Sequence, residues 1–178
     1  MLVTFEAGAR GPWSIDRSTG VVGAGLPVAP RLAITIGAVG TEATAAWTLR
    51  GFTSNERYVE RHERAALVAI QEGLDRPTAT CAALIALRKS AAWWDLTQDE
   101  RRAVLEDRSH HIAVGLEYLP GIARRLHHSR DLGEPFDFVT WFEFAPADTE
   151  AFDELLVRLR ATDEWEYVER EVELRLSR

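Results

Sequence analysis

The stretch HIAVGLEYLPGIARRLHHS, His111–Ser129, switches from helical to strand periodicity within a few residues, and that switch decides the fold. Read with the residues before it, Gln98 to Gly115 forms a helix capped by Thr97, with Val104, Leu105 and Ile112 on the side that packs inward. At about 100° per residue His111 falls at the edge of that side, and His110 points the opposite way. After Pro120 the chain reads as a strand, Ile122 to Ser129. Alternation places Ile122, Arg124, Leu126 and His128 on one face and Ala123, Arg125 and His127 on the other.

Outward from this stretch, Thr78 to Leu87 is a nearly continuous apolar strand and Phe136 to Phe144 a further strand. Asp148 to Arg160 is a helix carrying Phe152, Leu155, Leu156 and Leu159 at helical spacing, and Trp165 to Leu176 an alternating strand. The order β-α-β-β-α-β is the ferredoxin-like unit, an antiparallel sheet with two helices on one face. Residues 1–75 supply strands Leu2 to Ala7, Trp13 to Val22, Arg31 to Ala38 and Thr44 to Phe52, then a helix starting near Asn55. They form a strand-rich half that covers the bare face of residues 76–178. Together the halves predict an α+β barrel with helices outside and room for a planar ligand between sheet and helices.

The 178 residues are 46% hydrophobic, enough for one full core. A net charge of −7 argues against nucleic acid or an anionic membrane as partner. No apolar run is long enough to span a bilayer and the start lacks a secretion signal, which leads to a cytoplasmic expectation. Cys81 lies in an apolar run and reads as a small buried residue. Lys89 is the sole lysine among 21 basic residues, a compact point charge where arginine is otherwise used.

Arg124 stands between two aliphatic neighbours on its strand face. A guanidinium there either snorkels to water or a carboxylate, or it meets an anion in a pocket, because an uncompensated buried charge costs several kcal/mol. His111 is either structural or a ligand. Among the five histidines no short Cys or His–carboxylate metal motif occurs. Haem is different, since it needs one protein ligand, an apolar slot and a cation for its propionates.

The order and spacing of several residues resemble the chlorite dismutase family of haem b proteins, in its short, dimeric branch. They are His111, Gly115 four residues on, Tyr118–Leu119, Arg124 thirteen after the histidine, LHHS, DFVTWFE, and KSAAWW upstream. The resemblance runs from about Asn55 to Glu173 and implies a ferredoxin-like dimeric α+β barrel. It also implies that His111 is the proximal iron ligand and that Glu164, otherwise a surface carboxylate before the last strand, accepts a hydrogen bond from its other ring nitrogen. Arg124 would be the distal arginine, and Gln71 a distal glutamine that bonds it in one orientation or else a solvent-facing helix residue. Lys89 and Trp93 match pocket residues near the propionates, and Leu119 matches distal apolar lining. His127 and His128 read as structural, and Trp94 as core.

The implied reaction converts chlorite to chloride and dioxygen through a ferryl species and hypochlorite that recombine to form the O–O bond. It consumes no net proton, so it calls for a fixed cation more than a general acid or base. A haem peroxidase-like or nitrogen-oxide detoxifying protein of the same superfamily is the alternative, and a haem-free barrel binding a small ligand is another. The short branch implies a homodimer, with Trp13 and Trp47 lining the contact or belonging to the core.

Overall fold

The computed structural model describes residues 1–37, 44–53, 60–70 and 73–178. Eight antiparallel strands close into a barrel: β1 (Leu2–Gly8), β2 (Trp13–Val22), β3 (Arg31–Ile36), β4 (Trp47–Thr53), β5 (Cys81–Lys89), β6 (Ala123–His128), β7 (Phe138–Phe144) and β8 (Val168–Ser177). Around the barrel the order is β1-β3-β2-β8-β5-β7-β6-β4. The C-terminal four run β8-β5-β7-β6 and the N-terminal four β4-β1-β3-β2, which is the same 4-1-3-2 order twice. The two sets join at β2·β8 and β4·β6. The antiparallel α+β barrel with helices outside, expected from sequence, is the fold observed.

Alternation divides the apolar residues between two cores. Inside the barrel lie Phe5, Trp13, Leu32, Leu84, Trp141, Val172 and Leu174; beneath the outer helix α5 (Thr149–Arg160) lie Ala83, Ile85, Phe142, Phe144 and Phe152. Strand β5 is covered on both faces, which accounts for its unbroken apolar run. It begins at Cys81 and not at Thr78, because Ala79 N–H turns back to the Arg76 carbonyl at 3.0 Å. Trp13 belongs to the interior core and Trp47 packs against it, with its indole N–H on the Pro27 carbonyl at 3.0 Å. Helix α1 (Arg61–Ile70) lies where the sequence predicts one, although its expected start at Asn55 falls outside the described residues.

The continuous helix expected over Gln98 to Gly115 is corrected. The chain forms a short helix α2 (Ala91–Asp95), then α3 (Gln98–Arg102), a π-helical turn over Ala103–Arg108, and, after a break, α4 (His111–Glu117). At the break His110 takes a left-handed conformation, φ 51°. The Glu106 carboxylate supplies the reason. It accepts the backbone N–H of Ile112 at 2.6 Å and of Ala113 at 3.2 Å, satisfying the open N-terminus of α4 and stabilising negative charge there. The strand expected from Trp165 is corrected too: Asp163–Tyr167 is a 3-10 turn, and β8 starts at Val168. Among the described residues no helix is long and apolar enough to cross a membrane.

Candidate active site

The break at His110 makes His111 the first residue of α4, and the 3-10 turn carries Glu164 toward it. His111 Nδ1–H donates to Glu164 Oε2 at 2.7 Å. The other carboxylate oxygen, Oε1, accepts from Lys89 Nζ at 2.8 Å, and the same ammonium reaches the Glu164 carbonyl at 3.2 Å. Ser109 Oγ accepts the Glu164 backbone N–H at 3.0 Å, tying the turn to the helix break. The Lys89 and Glu164 side chains are 2% and 5% exposed, whereas His111 keeps 28% of its ring accessible.

Burial by itself would raise the Glu164 carboxyl. The charges of His111 and Lys89 and their hydrogen bonds outweigh it and hold the group down to about 2. Glu164 is thus a carboxylate that fixes the imidazole tautomer with hydrogen on Nδ1, leaving Nε2 as the ring's free lone pair. Lys89 lies over the rings of Trp93 (4.7 Å to the centroid) and Trp165 (5.5 Å). Its backbone N–H is held by Asp137 Oδ2 at 2.7 Å, an oxygen that also takes the Trp94 indole N–H at 3.3 Å. Trp93 is almost wholly buried and packs edge-on against Tyr167.

Arg124 sits on β6 opposite Phe142, on the outer face of the sheet, with Arg125 and His127 turned into the barrel. Its guanidinium lies against α4 at Gly115, where an added β-carbon would overlap Nη1. Gly115 is one helical turn beyond His111, on the same side of α4 and about 6 Å along its axis. Burial lowers the Arg124 pKa from its usual value, but a guanidinium is not deprotonated in a protein, so the charge is permanent.

Leu119 follows the C-terminus of α4, half-buried, its N–H on the Leu116 carbonyl at 3.2 Å. Gln71 lies outside the described residues. His127 is buried with Nδ1–H on the Val139 carbonyl at 3.1 Å, and His128 packs edge-on against Phe138. Sequence reasoning missed Ser109 and Asp137, whose side chains brace Glu164 and Lys89, and it did not link Lys89 to Glu164. The lone lysine was the available signal.

The residues present suit a haem. One imidazole offers a single nitrogen, its partner nitrogen is held by a carboxylate, and a permanent cation packs against the same helix one turn on, at Gly115.

A closed antiparallel barrel with a carboxylate-held imidazole on its helical layer and a guanidinium on the facing strand defines an α+β barrel with a candidate site between sheet and helix. The family profile described as chlorite dismutase matches residues 32–178. The chain belongs to the chlorite dismutase family, as the motif resemblance implied. It is similar to the dimeric chlorite dismutase of Nitrobacter winogradskyi, at 55% identity over 99% of both chains with a TM-score of 0.93. It is also similar to the chlorite dismutase of Candidatus Nitrospira defluvii solved in complex with imidazole, at 27% identity, TM-score 0.61, covering 76% of this chain and 56% of that one. A curated chlorite dismutase from Ideonella dechloratans is 35% identical over 84 residues, which is 47% of this chain and 27% of that protein. The match therefore spans about a quarter of that relative's length.

Proposed function

We propose that this protein is a haem b chlorite O2-lyase, converting chlorite to chloride and dioxygen. The observation that carries the reading is the Arg124 guanidinium resting on α4 one turn from His111, whose imidazole is held by the buried carboxylate of Glu164. Haem, when bound through His111 Nε2, supplies the redox-active iron at which the Cl–O bond is broken.

The remaining work belongs to the chain. Glu164 holds the Nδ1 proton and makes the imidazole a stronger donor, and Lys89 keeps Glu164 ionised in a buried setting. Arg124 would draw the chlorite anion in and hold anionic oxychlorine species in the pocket through charge-assisted hydrogen bonds. In a site screened from water such charge-assisted hydrogen bonds are worth a few kcal/mol. Chlorite, chloride and dioxygen balance without a proton, so a fixed cation suits the step better than a titrating group. Gln71 bonding Arg124, and Leu119 and Trp93 lining the pocket, would complete the reading, whereas the Lys89 ammonium is committed to Glu164 and acts through it. The similarity to a protein described as dimeric supports a homodimer.

The test is haem reconstitution followed by chlorite addition at an oxygen electrode. A Soret band with oxygen evolution is expected, together with loss of turnover in Arg124→Ala while haem is retained. Loss of the Soret band is expected in His111→Ala. No Soret band in the parent protein, or undiminished turnover in Arg124→Ala, would overturn the reading.

A further inference from the structure

The neighbour of Arg124 points the other way. Strand alternation turns Arg125 into the barrel, where it borders a cavity of about 240 Å³ together with Phe5, Trp13, Ile34, His127 and Trp141. That volume lies below the roughly 300–1,000 Å³ of pockets for drug-sized ligands, so the space suits a small molecule. Its walls are mostly aromatic and aliphatic, with Asp75, Arg125, His127, Glu143 and Arg178 as the polar part of the lining.

Two carboxylates, Asp75 and Glu143, and two guanidinium groups, Arg125 and Arg178, line the cavity. Glu143 is buried and its two oxygens are taken: Oε1 accepts the Trp141 indole N–H at 2.9 Å, and Oε2 the Asp75 backbone N–H at 2.7 Å. Arg178 stands 3.8 Å from Glu143 and 3.6 Å from Asp75 and lies over the Trp13 ring at 4.4 Å. Arg125 makes no hydrogen bond or ion pair among the described residues. Burial, with the charge of Arg125 adding to it, pushes the His127 imidazole down to about 4, so at neutral pH His127 brings no charge to the cavity. Arg178 is thus the guanidinium beside both carboxylates, and Arg125 faces the cavity with no carboxylate at ion-pair distance among the described residues.

We propose that this cavity is a second binding site, separated from the His111–Arg124 site by the sheet itself, which takes a small monocarboxylate with an apolar, planar body, the carboxylate on Arg125 and the body among Phe5, Trp13 and Ile34. The site is independent of the haem chemistry proposed above. A bidentate guanidinium–carboxylate contact fixes the orientation, and the aromatic walls supply the apolar contact area.

Calorimetric titration of the purified protein with benzoate tests it, with benzamide as the uncharged isostere. Benzoate is expected to bind the parent protein and Arg124→Gln alike, and to bind Arg125→Gln at least tenfold more weakly. Benzamide should bind the parent at least tenfold more weakly than benzoate does. The Trp141 indole N–H resonance is expected to shift on addition. Ile34→Trp, which fills the cavity without touching the cation, should also abolish binding and carries the test should Arg125→Gln not fold. Absence of benzoate binding, binding lost in Arg124→Gln but kept in Arg125→Gln or Ile34→Trp, or equal affinity for benzamide would each overturn the proposal.

Discussion

Arg124 and Gly115 are in contact across the gap between β6 and α4, close enough that no side chain fits at position 115 while the guanidinium keeps its place. The contact explains why a glycine, a poor helix former, sits in the interior of α4. Gly115→Ala should gain helix propensity of about 1 kcal/mol and yet lose function, because the methyl group displaces the guanidinium. A misplacement of about 1 Å at a reacting site is enough for roughly a hundredfold loss of turnover. Oxygen evolution per haem, measured beside the thermal midpoint, checks it; a stable variant with parental turnover would refute the positioning role of Gly115.

Glu164 serves two partners at once, the half-buried His111 and the buried Lys89. Glu164→Gln keeps its shape but leaves the Lys89 ammonium without a counter-charge in a nearly solvent-free setting. Breaking a buried ion pair by removing one partner costs about 3–5 kcal/mol, and loss of a histidine's supporting carboxylate typically weakens a metal site 10–100-fold. Urea unfolding and haem titration should therefore both shift. Adding Lys89→Met to Glu164→Gln should restore most of the stability and none of the haem affinity, which separates the two effects.

Much of this site was legible in sequence, for local reasons. Arg124 and Arg125 point to opposite faces because a strand repeats every two residues, and Gly115 shares a helix face with His111 because four residues make about one turn. The parts that could not be read depend on contacts distant in sequence. Nothing near His110 announces that the helix breaks there: Glu106 caps the new N-terminus six residues ahead, and Ser109 Oγ binds the backbone of a residue 55 positions on. Lys89 and Glu164 are 75 residues apart, joined only once β5 and the turn before β8 are side by side. The same turn, and not a strand, shapes Asp163–Tyr167, since Trp165 N–H bonds the Thr162 carbonyl and its indole N–H the Glu171 carboxylate.

Arg160 bridges α5 to two buried carboxylates on β8, with Nε on Glu171 at 2.9 Å and Nη2 on Glu173 at 2.6 Å. Glu173 retains Arg175 at 2.6 Å, but Glu171 would be left, among the described residues, with the Trp165 indole N–H, one neutral donor. Arg160→Met should cost about 3 kcal/mol, in the range for stranding a buried charge. The cost should fall when Glu171→Gln is added, and chemical denaturation of the single and double variants measures that coupling. Additive losses would show that the bridge contributes little.

His127 sets an acid limit on stability. Buried against Phe5 and holding the Val139 carbonyl, its imidazole is pushed from 6.5 down to about 4, chiefly by desolvation. The sign follows from proton uptake. Above pH 6.5 neither state binds the proton, and the group exerts no pH dependence. Between pH 6.5 and 4 the unfolded chain takes up a proton that the folded chain refuses, so stability falls with pH by about 1.4 kcal/mol per unit, roughly 3 kcal/mol in all. His127→Phe removes that slope and gives up the hydrogen bond to Val139, about 1 kcal/mol at neutral pH. Denaturation curves between pH 4 and 7 should show the variant less stable than the parent at pH 7 and more stable at pH 4. Parallel pH profiles for the two proteins would mean that His127 titrates normally in the folded chain.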